Sequence, residues 1–184
     1  ALVATVFGST HGEIQIAVEQ MQMMHEGDGK ISPARFKNSV HNTGAGIYSI
    51  ATRNKGFTTS IAGGWETFAN SLLEAQALLT AGHERVIVAV ADEPIPVAMD
   101  ANFHFDGLGA ALVLEREPDD AKVLGTLDDL RISEEPAPTP NLPDMIRRNP
   151  VGPGAGLVRA IKNREKGRIA LTYRGDTHWD IQLR

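Results

Sequence analysis

Gly56-Phe57-Thr58-Thr59-Ser60-Ile61-Ala62-Gly63-Gly64-Trp65 is the stretch that decides the fold. Thr58 to Ala62 is short and β-branched, as a strand requires. Two glycines then make a turn, and Trp65 to Ala81 follows with apolar residues around most of a helical circumference. A strand that turns through glycine into a long apolar helix exposes one side chain above the helix N-terminus, where several enzyme classes mount a nucleophile. Here that position holds tryptophan, and an indole cannot attack a carbonyl. None of the 184 residues is cysteine, which removes disulfides, thiolate zinc sites and thiol nucleophiles from this sequence.

Working outward, Ala1 to Phe7 reads as a buried strand ended by Gly8-Ser9-Thr10. Ile14 to His25 has helical spacing at Ile14, Ala17, Val18, Met21 and Met24. Its methionines fit adaptable core or interface better than a ligand set. Glu26 to Pro33 is a polar loop, and a helix is expected from Asn42 to Thr52, with Asn42 as a candidate cap. Gly82 stops the long helix. Arg85 to Ala91 is a continuous β-branched run, which predicts a strand buried on both faces. Ala110 to Glu115 and Val123 to Ile132 supply two further strands. Strands alternating with helices predict a layered α/β fold with a mixed, mainly parallel sheet around a buried central helix.

Residues 1–133 form the main unit in this reading. Residues 134–184 begin with a proline- and acid-rich linker and form an extension packing on the same domain. It contains short helices near 142–148 and 157–164, a Gly/Pro turn at 152–156, and a terminal hairpin of Arg168 to Tyr173 and His178 to Leu183. A net charge of −5 and 5% aromatic residues argue against nucleic-acid binding. No apolar run is long enough to span a bilayer and no signal peptide is visible, so a cytoplasmic location is expected. The chain opens inside a predicted strand, which points to residues upstream of Ala1.

Each polar cluster has an ordinary reading beside a functional one. Gly8-Ser9-Thr10-His11-Gly12-Glu13 sits where a phosphate loop would, but neither glycine fingerprint is satisfied. A turn that needs glycine is the better reading, with His11 projecting from it. The histidines 11, 25, 41, 83, 104 and 178 show no metal-ligand spacing, so no metal is expected. No cofactor is expected either. His104 and Asp106 fit an ordinary polar loop better than a catalytic pair. Asp92-Glu93 ends the most apolar strand, where ligands favour the carboxyl edge of a sheet. A solvated turn stiffened by Pro94 and Pro96 is preferred there. No serine sits in a nucleophile elbow.

These pieces together resemble the N-terminal half of β-ketoacyl synthases, in the thiolase-like superfamily. They are most similar to the short synthase-like subgroup related to chain-length factors of polyketide and aryl polyene biosynthesis. Gly8 to Gly12, Lys30-Ile31-Ser32-Pro33, Asn42 with Ala45 and Gly46, Gly56 to Ala62 and Gly107 to Leu114 match family motifs in order, over residues 1–132. The resemblance places the nucleophile position at Trp65, beside Gly64. The second half of a synthase, with its catalytic histidines and lysine, is not visible in residues 133–184.

The resemblance therefore implies a non-catalytic subunit that pairs with a β-ketoacyl synthase as a heterodimer and serves fatty acid, polyketide or aryl polyene biosynthesis. Thr58, Thr59, Ser60, Ile61 and Ala62 would be the strand that pairs across the two-fold. His41, Asn42 and Thr43 would lie near the interface, and His11 near the floor of the acyl tunnel. Trp65 would plug the vestigial cavity or simply fill core volume. An acyl carrier protein would reach it through the complex. The alternatives are a stand-alone acyl-thioester hydrolase or transferase using His11, His41 or Asp92 and Glu93, and an acyl-chain binding module.

Overall fold

A computed structural model describes residues 2–27, 29–97, 99–100, 104–118 and 122–184. Ala1 of the first expected strand and Asp28 of the expected 26–33 loop lie outside the described residues. Four strands make the first sheet: β1 (Ala4–Gly8), β2 (Thr58–Ile61), β3 (Arg85–Asp92) and β4 (Leu108–Glu115). Their order is β2-β1-β3-β4. β1 runs parallel to both β2 and β3, while β4 is antiparallel to β3. A second, antiparallel sheet is ordered β5-β7-β6, from β5 (Leu127–Ser133), β6 (Gly167–Ala170) and β7 (His178–Leu183).

The core lies on one face of the first sheet. Ala4 and Val6 of β1 and Val86, Val88 and Val90 of β3 are buried there. Phe68, Ala69, Leu72, Ala75 and Leu78 of helix α4 (Thr67–Thr80 in chain order, after the three helices described below) pack on them. Burying a valine or phenylalanine side chain contributes about 1.5–3 kcal/mol, so this layer carries much of the stability. Helix α6 (Gly152–Lys162) adds Leu157 and Ala160, and the second sheet adds Ile169, Ile181 and Leu183 to the same core. On the opposite face, helix α3 (Thr43–Thr52) covers β1, with Tyr48 tilted against Phe7 at 5.4 Å between ring centres. The remaining helices are α1 (Ile14–Glu26), α2 (Pro33–Asn38) and α5 (Asp144–Arg148).

Several expectations change. β3 is fully buried on one face only, because Ala91 is exposed and Ile87 and Ala89 are half-covered. The strand expected at 123–132 leaves the first sheet and pairs with β7, so the terminal hairpin becomes part of a three-stranded sheet. The expected Gly152–Gly156 turn is the first turn of α6: Pro153 sits where its missing N–H is harmless. Gly154 lets that turn approach Val90, since an added Cβ would stand 3.0 Å from Val90 Cγ2. α2 has no apolar period to announce it; Ser32 Oγ accepts from Arg35 N at its start. Asn42 makes no side-chain cap bond. The long helix begins later than expected, at Thr67, after a 3₁₀ turn at Gly64–Glu66.

Candidate functional site

The carboxyl ends of β1, β2 and β3 meet the start of α4, and the chain is tied together there by one buried carboxylate. Asp92, the last residue of β3, is 3% exposed. Its Oδ1 accepts from Ser9 Oγ (2.8 Å), Thr10 N (2.8 Å) and His11 N (3.3 Å). A carboxylate collecting several donors holds a loop far better than neutral acceptors do. Ser9 Oγ also accepts from Gly12 N, so the whole turn after β1 is wrapped around Asp92. The solvated turn expected at Asp92-Glu93 is therefore overturned. Glu93 is engaged as well: its Oε1 accepts from Gln15 N at 2.8 Å, and Gln15 Nε2 donates to Pro94 O. This fastens the first turn of α1, where an acidic group also suits the helix dipole.

His41 fixes the other side. Its Nε2 lies 3.0 Å from both Ser9 O and Ile61 O, so that nitrogen carries a proton and donates to two carbonyls. The ring thus joins the ends of β1 and β2, and Nε2 has no lone pair to offer as a base. Gly12 is required beneath it, with φ of +63° and an added Cβ 2.9 Å from His41 Cα. His11 and Asn42 are exposed, and Thr43 is buried.

The step from β2 into α4 is built by glycine and threonine. Gly64 has φ of +56°, a left-handed conformation that leaves the next residue at the rim. Thr67 Oγ1 donates to Gly64 O at 2.8 Å and accepts from Gly63 N at 3.0 Å. Trp65 is half-buried at this step, so its reading as a core filler is corrected. The Arg174 guanidinium lies 5.2 Å above its ring, a cation–π contact from the turn between β6 and β7. The neighbouring Glu66 accepts from Trp179 Nε1 at 3.1 Å. Two contacts from the C-terminal segment therefore meet the start of α4. Arg174 and Trp179 carry no motif, and only the folded chain brings them here.

β2 is an edge strand, with β1 on one side. Thr58 and Ala62 are exposed, while Thr59, Ser60 and Ile61 are half-buried. Beside them, Ile47 and Ile50 of α3 are 58% and 80% exposed. The hydroxyls of Thr43 and Ser60 are buried without a hydrogen-bond partner. His104 and Asp106 are exposed, and Asp106 O accepts from Asn149 Nδ2. Among the described residues no group of three His, Asp or Glu could hold a metal, and no helix is long and apolar enough to cross a membrane.

A family model for the β-ketoacyl synthase N-terminal domain matches residues 2–129. No curated protein matches the chain. Among solved structures, the ketosynthase ApeO in complex with its chain length factor ApeC, from Xenorhabdus doucetiae, matches with a TM-score of 0.74 and 22% identity. The match covers 99% of this chain and 70% of that one. The ishigamide ketosynthase/chain length factor matches with a TM-score of 0.71 and 15% identity, over 99% and 72% of the two chains. At these identities the likeness is one of fold, and it runs past residue 129 into the C-terminal segment.

Two outcomes test this geometry. Replacing Asp92 with alanine strands three donors and is expected to lower unfolding stability by about 3 kcal/mol, with Asp92→Asn losing less; urea denaturation measures both. Glu13 has its pKa raised, first by burial and then by the nearby Glu93 carboxylate. A carboxyl with a higher pKa when folded opposes folding above its unfolded value, and the opposition fades as pH falls through the folded value. Glu13→Gln is therefore expected to raise Tm at neutral pH, with the gain vanishing in acid below the ordinary carboxylate range. An unchanged or lower Tm at neutral pH contradicts this.

Proposed function

The chain belongs to the β-ketoacyl synthase N-terminal domain family, and on that premise we propose that it is a non-catalytic, chain-length-factor-like partner of a β-ketoacyl synthase. The observation that carries the reading is the residue at 65. The strand, glycine turn and helix that would present a nucleophile present an indole instead, held under Arg174. Losing the nucleophile of a catalytic unit typically costs on the order of 10⁶ in rate, so the retained scaffold serves shape and contact.

Association supplies the role that remains. β2 offers an open edge, and α3 beside it shows Ile47 and Ile50 to solvent. Unpaired strand edges and exposed apolar groups are what a partner covers. In the heterodimer, Thr58 to Ala62 pairs with the synthase, His41, Asn42 and Thr43 lie at the contact, and His11 and Trp65 limit the space for the growing acyl chain. The acyl chain arrives on a carrier protein that serves the catalytic subunit, in a cytoplasmic fatty acid, polyketide or aryl polyene pathway. The solved complexes pairing a ketosynthase with a chain length factor support this reading through fold. Ser9 Oγ, His41 Nε2 and Asp92 Oδ1 are engaged with backbone groups and with each other, which favours structural duty for these atoms over thioester hydrolysis, while Asp92 Oδ2 is buried without a hydrogen-bond partner.

Co-expression with a cognate synthase, followed by native mass spectrometry, tests the proposal. A one-to-one complex is expected, and Ile50→Arg, an exposed change that leaves the fold intact, weakens it at least tenfold. A chain that stays alone while the synthase works equally well without it contradicts the proposal.

A further inference from the structure

A second feature lies at the opposite end of α4 from Trp65. Gln76 and Leu79, near the end of the helix, border a groove of about 1240 Å³ that runs between β4 of the first sheet, the end of α6, and β5 of the second sheet. Ligand pockets commonly span about 300–1,000 Å³, so this one can take an extended molecule. Leu112 and Leu114 of β4, Leu130 of β5, and Val158 and Ile161 of α6 form its walls. Leu124, also on the lining, is 80% exposed.

The charges on the lining divide unevenly. Glu115 is matched by Arg85, Asp128 by Arg184, and Asp129 by Arg168. Past those pairs, Lys162, Arg164 and Lys166 follow one another where α6 ends, all exposed, with Glu165 the one acid among them; Arg116, 4.0 Å from Glu117, and Lys122 are the other cations on the lining. A long apolar wall closed by a cluster of cations matches a molecule with an apolar chain and an anionic head. We propose that this groove binds a long-chain anionic amphiphile. Its chain lies along the leucine walls, and its carboxylate or phosphate meets Lys162, Arg164 and Lys166. The site is separate from the Trp65 step and does not depend on the function proposed above.

Displacement of the fluorescent fatty acid cis-parinaric acid from the intact chain tests it, with competitors from decanoate to tetradecanoate, dodecyl phosphate and dodecyltrimethylammonium. Saturable displacement is expected, with affinity rising about fourfold for each added methylene. The double variant Lys162→Glu/Lys166→Glu should weaken dodecanoate and dodecyl phosphate about tenfold and leave the cationic probe no weaker. Val158→Trp should weaken every competitor by filling the groove; if it fails to fold by circular dichroism, the exposed charge-reversal pair carries the test. Phosphatidylglycerol vesicles separate a free amphiphile from a membrane surface. Absent saturation, indifference to the charge reversal, or association with vesicles alone each overturns the proposal.

Discussion

A single buried carboxylate organises the carboxyl edge of the first sheet. Asp92 ends β3, the strand whose Val86, Val88 and Val90 anchor the core, and it gathers three donors from Ser9, Thr10 and His11. Desolvating a charge is tolerable only where such donors replace water. The turn after β1 is thereby fixed against β3, and His41 then clips it to β2 through the carbonyls of Ser9 and Ile61. Thr10, held by the first clamp, donates its Oγ1 to Gly64 O at 3.2 Å, which ties the turn to the step into α4 beside Trp65. The rest of the edge, from Gln15 on Glu93 to Thr67 under Gly64, elaborates the same arrangement.

In a site built this way most polar groups hold backbone, with Asp92 Oδ2 the buried exception that has no hydrogen-bond partner. Ser9 Oγ has both a donor and an acceptor partner within the turn, and the His41 Nε2 proton is shared between carbonyls. Such a framework shapes a cavity or a contact surface better than it moves protons. The exposed isoleucines of α3 and the open edge of β2 lie on one flank, and that is the surface assigned to the proposed partner.

Much of the fold was legible because period and punctuation agreed. The strand at Thr58, the glycine pair and the long helix were readable from local pattern, as were the methionine-bearing α1 and the strand at Arg85. The misreadings were tertiary in origin. Nothing local tells that β5 would pair with β7 and leave its predecessor, or that Gly152 to Gly156 would wind into a helix against Val90. At the site, Asp92-Glu93 beside two prolines has the composition of a solvated turn. Its burial depends on Ser9 and Thr10, more than eighty residues earlier, arriving over it. Arg174 and Trp179 reach the start of α4 only through the second sheet, a relation with no sequence signal.

The measurement closest to the central claim follows the acyl group itself. The chain and a cognate synthase are incubated with an acyl thioester of carrier protein, and intact-protein mass spectrometry records which polypeptide gains the acyl mass. Acylation of the synthase alone, with this chain unmodified yet bound to it, is the expected result. An acyl adduct on this chain would contradict the account, because it would reveal a reactive group beside the indole.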